Sequence, residues 1–336
     1  MKRLIAVFIA LALVGVFAVS AQSTKKGLVI GLCNSYNGNT YRQTMEALFK
    51  KLADKMVKDG TLKSYQVLES NGDVAKQVSQ IESLILSGAD AIIVDPGSAS
   101  GLNGAIEKAT AAGIPVVIVN DGPVTTDQCY QINFDTDSMA TNAANYVVKA
   151  LKGKGNVIEI RGMAGVPFDE AFHGALLKAL GKAPAIKVVG TVYGEWTESV
   201  AQKQLTSILP SINKVDAVIG QGGDEYGALQ AFKAANRPIP IIIAGNRGNF
   251  LAWWSAEKKA NGYKTFSWAA NPWSAASGLY VAVDLASGRK DIPKVMIMPA
   301  LEITQDMVDD YSSLAPNEVA AKEYDHNWIE KTYYGK

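Results

Sequence analysis

Hydrophobic positions along the chain fall into two recurring kinds of segment. One kind is a short, unbroken apolar run at 27–32, 65–68, 91–94 and 115–119, and again at 156–160, 187–192, 217–219 and 239–244. The other repeats its apolar residues every three to four positions, as do Met45, Leu48, Phe49, Leu52 and Met56 within 40–59. The first pattern predicts strands buried on both faces, and the second predicts helices with one apolar face. Asp73 caps a second helix that Gly88 stops, and Gly113 ends a third over 102–112. Further helices are predicted near 137–151, 169–181, 198–209, 224–235 and 273–286. Strand and helix alternate with few exceptions, which predicts α/β architecture with parallel sheets and right-handed crossovers.

The alternation runs twice, so two doubly wound sheets are expected, with 131–135 passing between them. Later runs at 265–269 and 295–298 exceed the needs of the second sheet and are expected to return toward the first. The final stretch, 305–336, is polar with Tyr and Trp anchors and is expected to be a helical tail on the body.

The chain starts with Lys2 and Arg3, then an apolar run over 4–19, then Val19-Ser20-Ala21. That order of charge, apolar core and small residues predicts an export signal over 1–21. The run is short for a membrane span, and no cysteine follows it to carry a lipid. Removing Lys2 and Arg3 takes the formal net charge from +1 to −1. A near-neutral surface gives no reason to bind nucleic acid. Cys33 and Cys129 are the two cysteines of the sequence, and both are expected to be core thiols.

In open parallel sheets, ligands bind beyond the carboxyl ends of the strands. The residues at those ends share one chemistry here. The first half offers Tyr36, Asn37, Asn39, Tyr41 and Arg42 after its first strand, Asp95 after its third, and Asn120 with Asp121 after its fourth. The second half offers Phe168, Asp169 and Glu170, then Trp196, then Gln221 and Asp224. Asn246 and Arg247 follow its last strand, and Asn271 lies further on. Amides, carboxylates and guanidinium groups pair with hydroxyls that donate and accept together. Aromatic faces stack on the apolar C–H face of a sugar ring. The set predicts a site for a polyhydroxylated solute, although Asn, Asp and Gly after strands also serve as turn and cap residues. Arg42 either reaches the ligand or is a solvated helix residue. Arg161 is placed to brace carboxylates such as Asp169. Trp253 and Trp254 are adjacent on a helix, so at most one faces a cleft, and packing accounts for both.

Enzymatic signatures are missing. His173 and His326 are the two histidines, and there is no HExxH, CxxC or GxxxxGK[ST] stretch. Gly97-Ser98-Ala99-Ser100-Gly101 has Ala99 where a nucleophile elbow needs its serine. No cofactor or metal is implied.

Five ordered stretches carry a resemblance: 34–41, 89–96, 113–117 with Asn120-Asp121, 162–165, and 222–229. In that order they resemble the type I periplasmic sugar-binding proteins, the ribose-binding and related group, over about residues 25–300. The resemblance implies the periplasmic binding protein type I fold: two doubly wound parallel-sheet lobes joined by three crossover segments. The implied lobes are 25–134 with 271–300, and 135–270 with 301–336, hinged near Phe134, Ala270 and Ala300. The implied function is capture of a monosaccharide or sugar alcohol by hinge closure, followed by delivery to the permease of an ABC importer, by a monomer outside the cytoplasm. A sensor that presents a sugar-like signal to a receptor, or an exported sugar-modifying enzyme, are the alternatives.

Several positions depart from the ribose-binding pattern. Thr40 and Tyr41 stand where that pattern has paired Phe residues. Its second-lobe Arg falls at or beside Glu170, so Asp169 or Glu170 is expected to act there. Its Gly-Asp-Gly loop falls near Asn246-Arg247, and its third-hinge amide falls at Ala270, beside Asn271. Trp196 matches an aromatic stacking position. The sugar is therefore open among pentoses, hexoses, furanoses and sugar alcohols.

Overall fold

The computed structural model describes residues 27–243 and 245–335. The expected signal at 1–21 lies outside the described residues.

The first half builds β1 (Leu28–Asn34), α1 (Thr40–Lys58), β2 (Leu62–Glu69), α2 (Val74–Leu86), β3 (Ala91–Asp95), α3 (Asn103–Ala111), β4 (Val116–Val119) and β5 (Tyr130–Phe134). The second half builds α4 (Thr136–Ala150), β6 (Gly155–Arg161), α5 (Pro167–Leu180), β7 (Ile186–Tyr193), α6 (Glu198–Ile208), β8 (Ala217–Ile219), α7 (Glu225–Ala234), β9 (Ile241–Ile243) and α8 (Gly248–Asn261). Then come β10 (Ser267–Ala269), α9 (Ser274–Ala286), β11 (Val295–Met298), β12 (Leu301–Ile303), α10 (Val308–Tyr311) and α11 (His326–Tyr333).

The first lobe is a six-stranded sheet in the order β11-β5-β4-β3-β1-β2, and every pairing in it is parallel. The second is a four-stranded parallel sheet in the order β7-β6-β8-β9. Unbroken apolar strands are what this layering needs, because successive side chains face opposite helical layers. In β3, Ile92 and Val94 pack toward α2 and α3, while Ala91 and Ile93 pack toward α1 and α9. In the second sheet, Ile158 and Val218 join α6, α7 and α8, while Val157 and Ile219 join the layer of α5. Cys33 and Cys129 are free, buried thiols in one cluster of the first lobe.

The chain leaves the first sheet from β5 to α4 and from β11 to β12, and it returns to that sheet's helical layer from β10 to α9. Two sequence expectations change in detail. The 131–135 stretch is more than a connector, since Gln131 to Phe134 pair with β11 and complete the first sheet. Of the two surplus runs, only β11 returns to that sheet, whereas β10 pairs antiparallel with β12 in a separate ribbon.

The expected helical tail is mostly turns and irregular chain, with α10 and α11 as its helices. It also divides between the lobes. Asp309 accepts from Ser255 Oγ at 2.6 Å on α8, which ties the first part to the second lobe. Trp273 Nε1 then donates to the Tyr324 carbonyl at 2.8 Å, and Arg289 lies 2.7 Å from Glu330, which ties α11 to the first lobe. The expectation of a tail on the second lobe alone is corrected. The aromatic anchors expected in 305–336 include Tyr324, Trp328 and Tyr334, and their packing in the core that α9 shares carries α11 to the first lobe. No helix among the described residues is long and apolar enough to cross a membrane.

Candidate functional site

Both sheets present their carboxyl ends to one cleft. On the first lobe, Asn39 caps α1 by accepting the Arg42 amide at 2.9 Å, which fixes the helix start against the end of β1. That start carries Arg42 into the interior, with 3% of its surface exposed. Its guanidinium donates to Asn34 Oδ1 at 3.1 Å and forms ion pairs with both Asp95 and Asp121. Arg42 is therefore neither a solvated helix residue nor a free ligand clamp. It is the hub that holds the ends of β1, β3 and β4 together.

Asn120 donates to Asp95 at 3.2 Å and Asp121 at 2.9 Å, and its Oδ1 accepts the Tyr41 hydroxyl at 2.7 Å. Burial pushes Asp121 upward from the usual carboxylate range, and the Arg42 charge opposes that shift.

The second lobe has a matching layer. Arg161, at the end of β6, meets Asp169 at 2.6 Å and lies with its guanidinium carbon 5.0 Å from the Tyr193 ring centre. Asp169 also accepts from the Gly162 amide at 2.8 Å and from Gln221 Nε2 at 2.7 Å. Gln221 in turn accepts from Trp196 Nε1 at 3.3 Å. A chain of polar contacts thus runs from β6 to the indole that faces the cleft. The indole lies flat on Gly162, where a Cβ would come within 2.2 Å of the ring. Gly223 is equally constrained, since it has φ +82° and a Cβ there would come within 2.7 Å of the Trp196 carbonyl. Asn120 (φ 61°) and Trp196 (φ 52°) both hold left-handed backbone, which is unusual for residues with side chains and tends to occur at functional sites.

Between these layers lies a narrow cavity of about 60 Å³ walled by both lobes. From the first lobe, Asn39, Tyr41, Arg42, Asn120 and Asp121 reach it. From the second, Phe168, Trp196, Gln221 and Arg247 do so.

The other expected positions lie elsewhere. Asp95 and Asp169 stand one layer behind, occupied by Arg42 and Arg161. Glu170 is corrected: it is exposed and meets the outer side of Arg161 at 2.8 Å. Asn37 turns to Glu46 at 3.0 Å, and Tyr36 folds over Gly38 of its own loop. Asn246 donates to the Leu301 carbonyl at 2.6 Å, and Asn271 donates to the Lys322 carbonyl at 2.7 Å. The Asn246 amide holds the β10–β12 ribbon and the Asn271 amide holds the tail, so neither faces the cavity. Trp254 is core and Trp253 packs on Phe250 and Tyr263, so neither reaches the cleft.

Asp224 is fully buried beneath the loop, close to where Cβ atoms on Gly194 and Gly220 would sit, and its carboxylate oxygens have no hydrogen-bond partner. Burial drives it well above the usual carboxylate range, and the neighbouring Glu225 adds to the shift. Burial also pushes Glu225 up to about 7.

The cavity has lining that sequence reading did not single out. Gly222, Gly223, Gly245 and Ala269 contribute backbone and small side chains. Val319 enters from the tail, carried by its bridge to Arg247. The paired glycines after β8 were a visible signal, while nothing local marks Val319. Among the described residues, no group of three or more His, Cys, Asp or Glu could hold a metal ion.

The profile of the periplasmic binding protein domain family matches residues 30–290. A xylitol-binding protein of Mycolicibacterium smegmatis is 32% identical over 246 residues, which covers 71% of this chain and 68% of that protein. A ribose import binding protein of Haemophilus influenzae is 26% identical over 228 residues, covering 67% of this chain and 74% of the relative. Among solved structures, an ABC transporter solute binding protein from Thermobispora bispora superposes with a TM-score of 0.84 at 34% identity, over 90% of this chain and 94% of that one.

Proposed function

The chain belongs to the periplasmic binding protein family, and from that premise we propose that it captures a monosaccharide or sugar alcohol between its lobes and delivers it to the permease of an ABC importer. It is a type I sugar-binding protein in fold and in relatives, and those relatives are binding proteins rather than enzymes. The observation that carries the reading is a cavity walled by both lobes, with amide, carboxylate and guanidinium groups on one side and the Trp196 and Phe168 rings on the other. Hydroxyls find paired donors and acceptors there, and a ring face finds an indole.

A ligand that touches both walls adds contacts only when the lobes approach, so it shifts the population toward the closed form. The closed form is then the shape a permease distinguishes from the empty protein. We read residues 1–21 as the export signal that places the mature chain outside the cytoplasm, where it acts as a monomer. The site residues of this reading are the nine polar and aromatic side chains of the cavity wall, with Asp95, Arg161 and Asp169 as their supports.

A thermal-shift screen with pentoses, hexoses, furanose-rich sugars, sugar alcohols and inositols tests it. A true ligand at about a hundred times its dissociation constant adds about 2.7 kcal/mol of stability and raises Tm by several degrees. If no compound of the panel moves Tm, the polyhydroxylated-solute reading is wrong.

A further inference from the structure

The cleft continues beyond the inner cavity. At the lips of the two lobes lies a wider groove of about 510 Å³, formed by Thr40 and Gln43 of α1 on one side and by Gln202 of α6 and Gln230 of α7 on the other. Asn39 and Arg247 belong to the walls of both spaces, so they stand at the passage between them.

The chemistry at that passage is incomplete within the protein. Arg247 is buried and uses Nη1 on Glu198 at 2.7 Å, but its Nε has no hydrogen-bond partner. Buried polar groups without partners are uncommon, and a missing ligand atom is one ordinary reason for them. Asn39 uses its Oδ1 on the α1 cap, which leaves its amide nitrogen for other partners. Charge at the passage is balanced, because Glu198 offsets Arg247. The groove beyond is walled mainly by amides and hydroxyls, with the Tyr226 ring and the mutually paired Glu198 and Arg247. It suits a second polyhydroxylated unit better than a lipid, a peptide or an anion.

We propose that the cleft takes a sugar ring bearing an O-linked substituent, with the ring in the inner cavity and a second sugar unit or polar aglycone passing between Asn39 and Arg247 into the outer groove. This rests on the sugar-binding reading above and extends it from free monosaccharides to glycosides and disaccharides. Arg247 Nε then donates to the bridging oxygen or to a hydroxyl beside it. Gln202 and Gln230 meet the second unit without touching the inner cavity.

The test is titration calorimetry on the mature chain with free rings, their α- and β-methyl glycosides, and disaccharides containing each ring. The expected result is that at least one O-linked derivative binds as tightly as its free ring or tighter. The double variant Gln202→Leu/Gln230→Leu then weakens the disaccharide about tenfold while the free ring stays within about twofold, as loss of a few hydrogen bonds predicts. The proposal is overturned if a free ring binds but all its O-linked derivatives lose about a hundredfold. It is equally overturned if the double variant leaves disaccharide affinity untouched. If no free ring and no derivative binds, the sugar-binding reading itself fails, and this proposal fails with it.

Discussion

Tyr41 donates its hydroxyl to Asn120 Oδ1 at 2.7 Å, joining the first turn of α1 to the end of β4 at the wall of the cavity. The bond fixes which end of the Asn120 amide faces Asp95 and Asp121, since its nitrogen is then the donor to both carboxylates. Removing the hydroxyl frees that orientation without opening a large void. Tyr41→Phe should lower ligand affinity about three- to tenfold, the usual worth of one neutral hydrogen bond. The melting temperature should move by only a few degrees. Titration calorimetry beside a thermal melt checks both, and wild-type affinity would detach Tyr41 from the site.

Arg42 calls for a different outcome. It lies buried between Asp95 and Asp121, so removing it leaves two carboxylates uncompensated in the interior. Breaking a buried ion pair from one side costs about 3–5 kcal/mol. Arg42→Met should therefore destabilise the protein by about that amount in urea denaturation. Arg42→Lys should recover little, because a single ammonium cannot reproduce the fork that reaches Asn34, Asp95 and Asp121 together. Near-wild-type stability of either variant would remove Arg42 from its role as hub.

The difference between these two residues shows what the sequence could reveal. Apolar runs such as 91–94 and 115–119 identified strands because burial on both faces leaves no room for polar alternation. The strand-end rule then located Asn120, Asp121, Trp196 and Gln221, because position along a parallel strand determines which end is open. It could not rank depth. Asp95 lies one layer behind the cavity because Arg42, far from it in sequence, reaches it; Asp169 lies there because Arg161, only eight residues away, braces it as its place after β6 suggested. Asn246 and Asn271 looked like ligand amides but serve the β10–β12 ribbon and the tail, whose path across the lobes has no local signature. Val319 was out of reach for the same reason.

Trp196 rests on Gly162 with no space for a Cβ between them. Two substitutions separate stacking from scaffolding. Trp196→Ala should weaken binding by about tenfold or more, since it removes the large apolar ring face that a ligand ring covers, and burying such a side chain's surface is worth about 1.5–3 kcal/mol. Gly162→Ala should tilt the indole and weaken binding in the same direction while leaving the tryptophan in place. Circular dichroism should remain native for both variants, and calorimetry reads the affinity. Full affinity in Gly162→Ala would show that the indole's exact seat does not matter.

Glu225 offers a pH prediction whose sign is fixed by its burial. Its carboxyl is 1% exposed, lacks a hydrogen-bond partner and is pushed up to about 7 from an ordinary 4.5. The folded protein therefore holds a proton on Glu225 at pH values where the unfolded chain has released it. Stability from this group is fully present below about pH 4.5, and it is lost as pH rises toward about 7. Asp224 is raised by burial and by Glu225 and acts in the same direction. His326, raised by its hydrogen bond to Asp284, also loses its contribution as pH rises. The loss attributable to Glu225 is of order 3 kcal/mol. Glu225→Gln keeps the shape and removes the proton equilibrium. Urea denaturation between pH 4.5 and 8 should show wild-type stability falling across this window and the variant falling less. Parallel curves for the two proteins would mean that Glu225 is already ionised at the acid end of the window.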